Sequence, residues 1–277
     1  MPEIFQYDFM INAFIVGILI AIIIPCIGTV VVLRRLSIMG DALSHISLAG
    51  VAAGLVFGIN PILSAVVFAV IASLSIEKIR SKIPKYGEIS TAVMMSFGIG
   101  LAAILSGFVS SANFNSFLFG SLMAINRFEK YLVICLAVVV LTVFILMYRA
   151  LFYITFDEES ARLAGIPVKT ITMVFTVLTA VTISVSSRVV GTLVVSSMMV
   201  LPVAVSMQIA KSYKQTVVFS VLFSVFFVVS GLIFPFYLDL KPGGTIVMTG
   251  VISLVITLLA GKIPGSGRRK IALRGDD

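Results

Sequence analysis

Two ionisable side chains stand where chemistry inside a membrane would need them. Asp41 and His45 lie four residues apart in Gly40-Asp41-Ala42-Leu43-Ser44-His45, at the head of the apolar run 46–59, and His45 is the single histidine of the chain. Residues four apart stack on one face of a helix, so a carboxylate and an imidazole point the same way. Both groups ligate divalent metals, and together they make half of a four-coordinate site. Two structural readings compete with ligation. Asp41 after Gly40 also reads as a helix N-cap, and a lone histidine also serves as a hydrogen-bonded packing residue. Depth favours ligation, because an ionisable residue inside a membrane span costs about 2.5 to 3.5 kcal/mol on insertion scales and marks a functional site.

The elements that must hold this pair are apolar. Of 277 residues, 60% are hydrophobic and 12% charged, with a mean hydropathy of +1.18. That composition excludes a water-soluble domain and predicts an all-α, polytopic transmembrane bundle forming one domain over residues 1–277. The net charge of +8, which in a soluble protein would suggest nucleic acid, reads here as anchoring of loops on the cytoplasmic side. Cys26 and Cys135 each lie within an apolar run and form no paired motif, so they read as packing residues. The N-terminus carries Glu3 and Asp8 rather than basic residues, and the apolar run that follows is too long for a signal core. It reads as the first span.

Apolar windows fall near 9–33, 41–59, 61–77, 88–109, 130–154, 168–187, 189–210, 215–237 and 242–261, which predicts eight or nine spans. The windows 41–59 and 61–77 are short and meet at Asn60-Pro61, so broken or shallow helices are expected there. Threading nine spans puts Arg34, Arg35, Lys78, Arg80, Lys82, Lys85, Arg149, Arg162, Lys169, Lys211, Lys214 and the basic tail 262–277 on one side. It leaves Arg127, Lys130, Arg188 and Lys241 on the other. The positive-inside bias then predicts an outside N-terminus and a cytoplasmic C-terminus, with Arg188 as a snorkelling turn residue. Residues 113–127 hold an apolar core too short to cross, which predicts a re-entrant or interfacial segment at the outer mouth. Pro25, Pro202 and Pro235 inside apolar runs predict kinked or interrupted helices.

The second informative stretch, Thr155-Phe156-Asp157-Glu158-Glu159-Ser160-Ala161-Arg162-Leu163-Ala164-Gly165-Ile166-Pro167, predicts a short polar helix over about 156–166 on the cytoplasmic side. Thr155 and Glu158 fit a capping box, Asp157, Glu158 and Glu159 fill the first turn, and Glu158 and Arg162 are spaced i, i+4. Gly165 with Pro167 then closes it. Such a capped polar helix is a docking piece for a soluble partner or, at its plainest, an interfacial helix.

Gly50, Gly54 and Gly58 form a small-residue stripe beside the stripe of Asp41, His45, Ala49 and Ala53, which predicts close approach of another helix. One chain supplies two ligands where zinc usually takes four. Two copies related by a two-fold axis near this helix would supply two imidazoles and two carboxylates, a set that is neutral with a dication. A phosphate-cradling G-x-x-x-x-G-K-[ST] motif is absent, so nucleotide-driven work must come from another chain. Two rival functions find less support. A self-coupled secondary transporter ordinarily needs several intramembrane acids, and an intramembrane enzyme needs a nucleophile beside its base.

The motifs resemble those of the metal-ion permease subunits of bacterial ATP-binding-cassette importers. The resemblance rests on Leu33-Arg34-Arg35-Leu36-Ser37-Ile38-Met39-Gly40-Asp41-Ala42-Leu43-Ser44-His45, on Thr155-Phe156-Asp157-Glu158 with Gly165-Ile166-Pro167, and on Val190-Gly191-Thr192-Leu193-Val194 leading to Leu201-Pro202. It implies a homodimer in a bacterial cell membrane over two cytoplasmic ATP-binding subunits, fed by an extracytoplasmic metal-binding lipoprotein or periplasmic protein. It further implies that Asp41 and His45 bind the transported ion and that the segment 156–167, with Asp157, Glu158, Glu159, Arg162 and Gly165, docks on the ATPase. Ser47-Leu48-Ala49-Gly50 is more similar to zinc-uptake members, since manganese members tend to carry a proline just before that glycine. Zinc is thus the expected cargo, with manganese, or iron, the alternative. The chain departs from the family in lacking any other histidine and in continuing Leu201-Pro202 with Val203-Ala204.

Overall fold

The computed structural model describes residues 7–83, 87–109, 120, 125–238 and 240–260. Among these the chain folds into α1 (Asp8–Leu33), α2 (Ser37–Phe57), α3 (Pro61–Lys82), α4 (Gly87–Ser106), α5 (Arg127–Phe156), the short α6 (Glu158–Leu163), α7 (Val168–Val190), α8 (Thr192–Ile209), α9 (Tyr213–Leu238) and α10 (Pro242–Ala260). All but α6, nine in number, are long and apolar enough to cross a bilayer. The expectation of an all-α bundle holds. Most of the segment 113–127 and the tail 262–277 lie outside the described residues.

Turn chemistry separates the spans. Asn60 caps α3 by accepting from the Ile62 and Leu63 amides, with Pro61 as the first helical residue. Gly58, at φ +68°, closes α2 in the left-handed region. Asn126 and Glu129 form a reciprocal capping box at the head of α5. Gly191, at φ +101°, breaks α7 from α8. The break falls three residues beyond Arg188, which therefore belongs to the last turn of α7 and not to the turn itself.

Two further expectations are corrected. The helices flanking Asn60-Pro61 are neither broken nor shallow, because α2 begins four residues ahead of Asp41 and α3 continues through the charged residues Glu77 to Lys82. The three prolines do not interrupt α1, α8 or α9. Each proline removes one backbone bond, a loss a membrane helix tolerates when neighbouring helices pack around it. Pro25 and Pro202 are both fully enclosed by the bundle. Several buried hydroxyls are satisfied within their own helix: Thr29 donates to the Pro25 carbonyl at 2.8 Å, Thr179 to Phe175 at 2.8 Å and Ser206 to Pro202 at 2.7 Å.

The innermost helices are α1, α2 and α7. Helix α1 packs on α5, α8 and α9, while α2 packs on α3, α4, α7 and α8. Glycines permit the closest of these approaches. A Cβ at Gly50 would meet the Ala65 backbone, one at Gly54 the Pro61 backbone, and one at Gly98 of α4 the Ile46 backbone. The outer surface is apolar, with Ile104 of α4, Leu146 of α5 and Leu259 of α10 each exposed by well over half. Such a surface suits acyl chains and not water.

Candidate functional site

Helix α2 carries the ionisable pair. It is enclosed on nearly every side: Ala42, Leu43, Ser44, Ile46, Ser47 and all residues from Leu48 through Gly54 are buried. Ile38 and Asp41 remain exposed, and His45 is half-buried. The three are spaced i, i+3, i+7, so they form one open strip along the first half of the helix. The strip stops there, because Ala49, next on the same stripe, is fully buried in a cluster with Ala65 of α3 and Ala102 of α4. Asp41 lies about 6 Å and His45 about 12 Å along the axis from the first residue of α2.

Asp41 is the fifth residue of α2, whose N-cap is Leu36, so the capping reading of Asp41 is overturned. Neither Asp41 nor His45 takes a side-chain hydrogen bond or ion pair from the described residues, which also removes the reading of His45 as a satisfied core histidine. Among the described residues no third His, Cys, Asp or Glu joins them. The donor set of one protomer is one carboxylate and one imidazole, both facing outward.

The glycine stripe does not lead to a partner copy. Gly50 and Gly54 face Ala65, Ser64 and Pro61 of α3, and Gly58 is the helix cap with open space around it. The contact expected near a two-fold axis is spent inside the protomer. The Ile38–Asp41–His45 strip is left open.

A second charged cluster gathers where α1, α3 and α5 end. Asp157 caps α6 by accepting from the Ser160 amide at 3.0 Å. Thr155 instead donates to the Leu151 carbonyl at 2.6 Å. The capping box expected of Thr155 and Glu158 is thus displaced by two residues: Asp157 is the cap, Ser160 its partner, and Glu158 opens the helix. The Ser160 hydroxyl and then the Ser160 amide, both donating to Asp157, hold its carboxyl below the usual carboxylate range. Gly165, at φ +79°, closes the segment, with the Ile166 amide on the Ala161 carbonyl at 3.1 Å. Glu158 accepts from Arg162 at 3.3 Å, as the i, i+4 spacing predicts, and also from Arg34 at 3.0 Å. Nothing in the spacing announces the second bond.

These groups line a polar cleft of about 670 Å³ that also takes in Arg35, Glu77 and Arg80. Burial, and then the Arg80 guanidinium, push Arg34 below its usual value while Glu158 opposes them. It stays a cation all the same. At the far end of the 30-residue α5, roughly 45 Å away, Arg188 bonds Glu129 at 2.9 Å, with the Glu129 side chain 6% exposed. Arg188 is therefore the half-buried ion-pair partner of a buried carboxylate in the last turn of α7, and not a turn residue. A larger groove of about 870 Å³ opens between α3, α5 and α7, but its lining, Val66, Leu132, Val177 and similar side chains, is apolar and includes neither Asp41 nor His45. It offers an ion nothing.

Nine apolar helices, an outward ionisable pair on an otherwise enclosed helix and a capped polar helix at one end define a multi-pass membrane transport protein. Residues 6–261 match the model of the ABC 3 transport family, and the chain belongs to that family. It is 35% identical over 96% of its length to a "Probable metal transport system membrane protein" of Treponema pallidum (strain Nichols), covering 99% of that protein. It is 30% identical to the manganese import system permease protein ScaB of Streptococcus parasanguinis (91% of this chain, 90% of ScaB). It is 26% identical to the high-affinity zinc uptake system membrane protein ZnuB of Haemophilus influenzae (91% and 98%). The solved structure of PsaBC from Streptococcus pneumoniae in complex with Fab superposes with a TM-score of 0.82 at 26% identity, over 92% of both chains. The relatives divide between manganese and zinc, so the expectation of zinc is not singled out by them.

Sequence reasoning missed Arg34, Glu129 and Met199. Arg34 and Glu129 are charged residues at span ends, read only as orientation markers or not at all. Met199 of α8 is an ordinary apolar residue in sequence. Its partners are visible only after folding.

Proposed function

We propose that this chain is the membrane permease of an ATP-driven importer of divalent metal ions, and that Asp41 and His45 hold the ion on its path. The observation that carries this reading is the open strip on α2: two good ligands, without partners among the described residues, on one exposed face of a helix that is otherwise buried. The permease works as a homodimer in the bacterial cell membrane, in which two such strips face each other. Two carboxylates and two imidazoles then surround one dication, giving four ligands and a neutral site. The N-terminus lies outside and the C-terminus in the cytoplasm, which puts α6 against a cytoplasmic ATPase subunit, and an extracytoplasmic binding protein delivers the ion.

Zinc is the cargo this donor set suits best, because two nitrogens and two oxygens in a tetrahedron match its preferences. Manganese is the second reading, favoured by the likeness to ScaB and tolerated by the carboxylates. Uptake of radiolabelled zinc and manganese is measured in cells that depend on this importer, for the wild type, His45→Ala and Asp41→Asn. Loss of uptake in both variants at unchanged membrane abundance is the expected result. Wild-type uptake by His45→Ala refutes the site, and uptake of manganese alone refutes zinc.

A further inference from the structure

Helix α6 is tied to the bundle unevenly. Along the chain it packs on α5 and α7, its flanking neighbours. Across the chain, among the described residues, the hydrogen bond that joins it to the α1–α2 turn is Arg34 to Glu158, 124 residues apart in sequence and 3.0 Å in space. The Arg34 side chain is 10% exposed and that of Glu158 44% exposed, so the bond is partly shielded from water on the arginine side. Glu77, the other carboxylate of the same cleft, is bonded to Arg80 at 3.1 Å. Glu158 is thus the carboxylate that bonds Arg34.

The turn that carries Arg34 leads into the ion-bearing helix with little slack. Arg34 is the C-cap of α1, and α2 begins three residues later at Ser37. The intervening backbone is closed by three bonds: the Arg35 amide on the Val32 carbonyl at 3.0 Å, the Leu36 amide on Val31 at 2.8 Å, and the Met39 amide on Leu36 at 2.8 Å. Arg35 holds φ at +59°, a value a non-glycine residue keeps only where its surroundings over-determine it. A displacement of Arg34 therefore passes into the first turn of α2, one turn ahead of Asp41 and two ahead of His45. It cannot be absorbed by a flexible linker.

We propose that the Arg34–Glu158 ion pair is the link through which movement of α6 reaches Asp41 and His45. This inference rests on the reading of the chain as an ATP-driven metal permease. Arg34 and Glu158 are positioning residues: neither touches the ion. When the ATPase shifts α6, Glu158, its first residue, moves with it, Arg34 follows the carboxylate, and the tight turn rotates or translates the open strip of α2. Movement along the α5–α6 backbone alone would leave the strip behind.

The test uses the complete importer with its ATPase subunits in proteoliposomes. ATP hydrolysed per zinc ion taken up is read alongside zinc binding and co-purification of the ATPase. Arg34→Glu, outside the docking segment, is expected to keep zinc binding and ATPase association, to keep hydrolysing ATP, and to lose uptake by about tenfold or more, as for a broken coupled pair. Glu158→Arg, which lies in the docking segment, is expected to lose uptake as well and to regain it only beside the reversed Arg34. The double reversal, Arg34→Glu with Glu158→Arg, restores much of the uptake. Recovery is partial because the reversed arginine then faces Arg162. Wild-type coupling in both single variants overturns the link, and so does a double reversal no better than the singles. Should the reversals fail to assemble, Arg34→Gln, which loses the charge without touching the docking segment, decides: uncoupled hydrolysis supports the link and normal coupling overturns it. The two readings fail separately. If His45→Ala abolishes zinc binding while the Arg34 variants transport normally, the link alone is wrong. If His45→Ala binds zinc normally, the site assignment is wrong whatever the coupling shows.

Discussion

Met199 of α8 seats its terminal methyl where a Cβ of Gly40 would stand, one residue ahead of Asp41, while its own backbone carbonyl occupies the corresponding place at Gly28 of α1. One residue thus keys α8 to both α1 and α2, the helix of Asp41 and His45. The side chain is 1% exposed, and both glycines are buried. The two contacts differ in what can yield: at Gly40 a flexible thioether end, at Gly28 a fixed carbonyl.

That difference predicts unequal costs. Gly28→Ala forces backbones apart and is expected to destabilise the protein by about 1–3 kcal/mol, as overpacking does. Gly40→Ala asks only that the Met199 methyl swing away and should cost less. Thermal unfolding of the detergent-solubilised protein ranks the two, and the combination Gly40→Ala with Met199→Ala should recover part of the loss.

The shared-site reading predicts one tightly held ion per two chains. Equilibrium dialysis with zinc should give half an ion per protomer, falling to none for His45→Ala. A cysteine introduced by His45→Cys should be bridged to its symmetry mate by mercury or cadmium in at least one nucleotide state. Tight binding of one ion per chain contradicts the reading.

Breaking the Arg188–Glu129 pair takes one partner from the half-buried Arg188. Glu129→Ala removes both that partner and half of the Asn126 capping box, and should cost about 3–5 kcal/mol. A double-mutant cycle with Arg188→Ala is expected to show a coupling energy of about 1 kcal/mol or more.

The α6 cap should outlast acidification. Asp157 is held below the usual carboxylate range, first by the Ser160 hydroxyl and then by the Ser160 amide. A depressed carboxyl contributes stability above its ordinary pKa and loses it only as pH falls through the depressed value. Amide exchange across Glu158–Leu163 should therefore stay protected somewhat below the pH at which an ordinary aspartate protonates. Ser160→Ala removes the first donor, so protection should be lost at higher pH than in the wild type.

Gly165 tests the end of the same helix. A Cβ there meets nothing within contact range, yet its φ of +79° disfavours any L side chain. Gly165→Val should cost about 1–3 kcal/mol through the backbone alone. Gly165→Asn, which tolerates the left-handed region, should cost less. ATP hydrolysis and uptake should separate in the first variant and remain joined in the second.

The sequence alone determined the spans, because a bilayer demands about 20 apolar residues per helix and nothing else in the chain satisfies that length. It also determined the ionisable pair, since an i, i+4 spacing stacks Asp41 and His45 on one face whatever surrounds the helix. Two local turns were nearly as legible: Asn60-Pro61 and Gly165 carry their reasons within a few residues, whereas Gly58, read as part of a packing stripe, is the cap of α2. The cap of α6 was misplaced by two positions because Thr155 and Asp157 are both good acceptors. The choice between them depended on where α5 ended.

Tertiary structure decided what lies across from each face. Gly50 and Gly54 are small residues in any fold, and only packing shows that α3 fills them and that the Asp41–His45 strip stays open. Arg34 and Glu158 stand 124 residues apart in sequence, and no local pattern brings them to 3.0 Å. The spacing of a helix orders neighbours within a few turns. Contacts between helices depend on how nine of them share one limited interior, a property of the whole bundle that no single stretch contains.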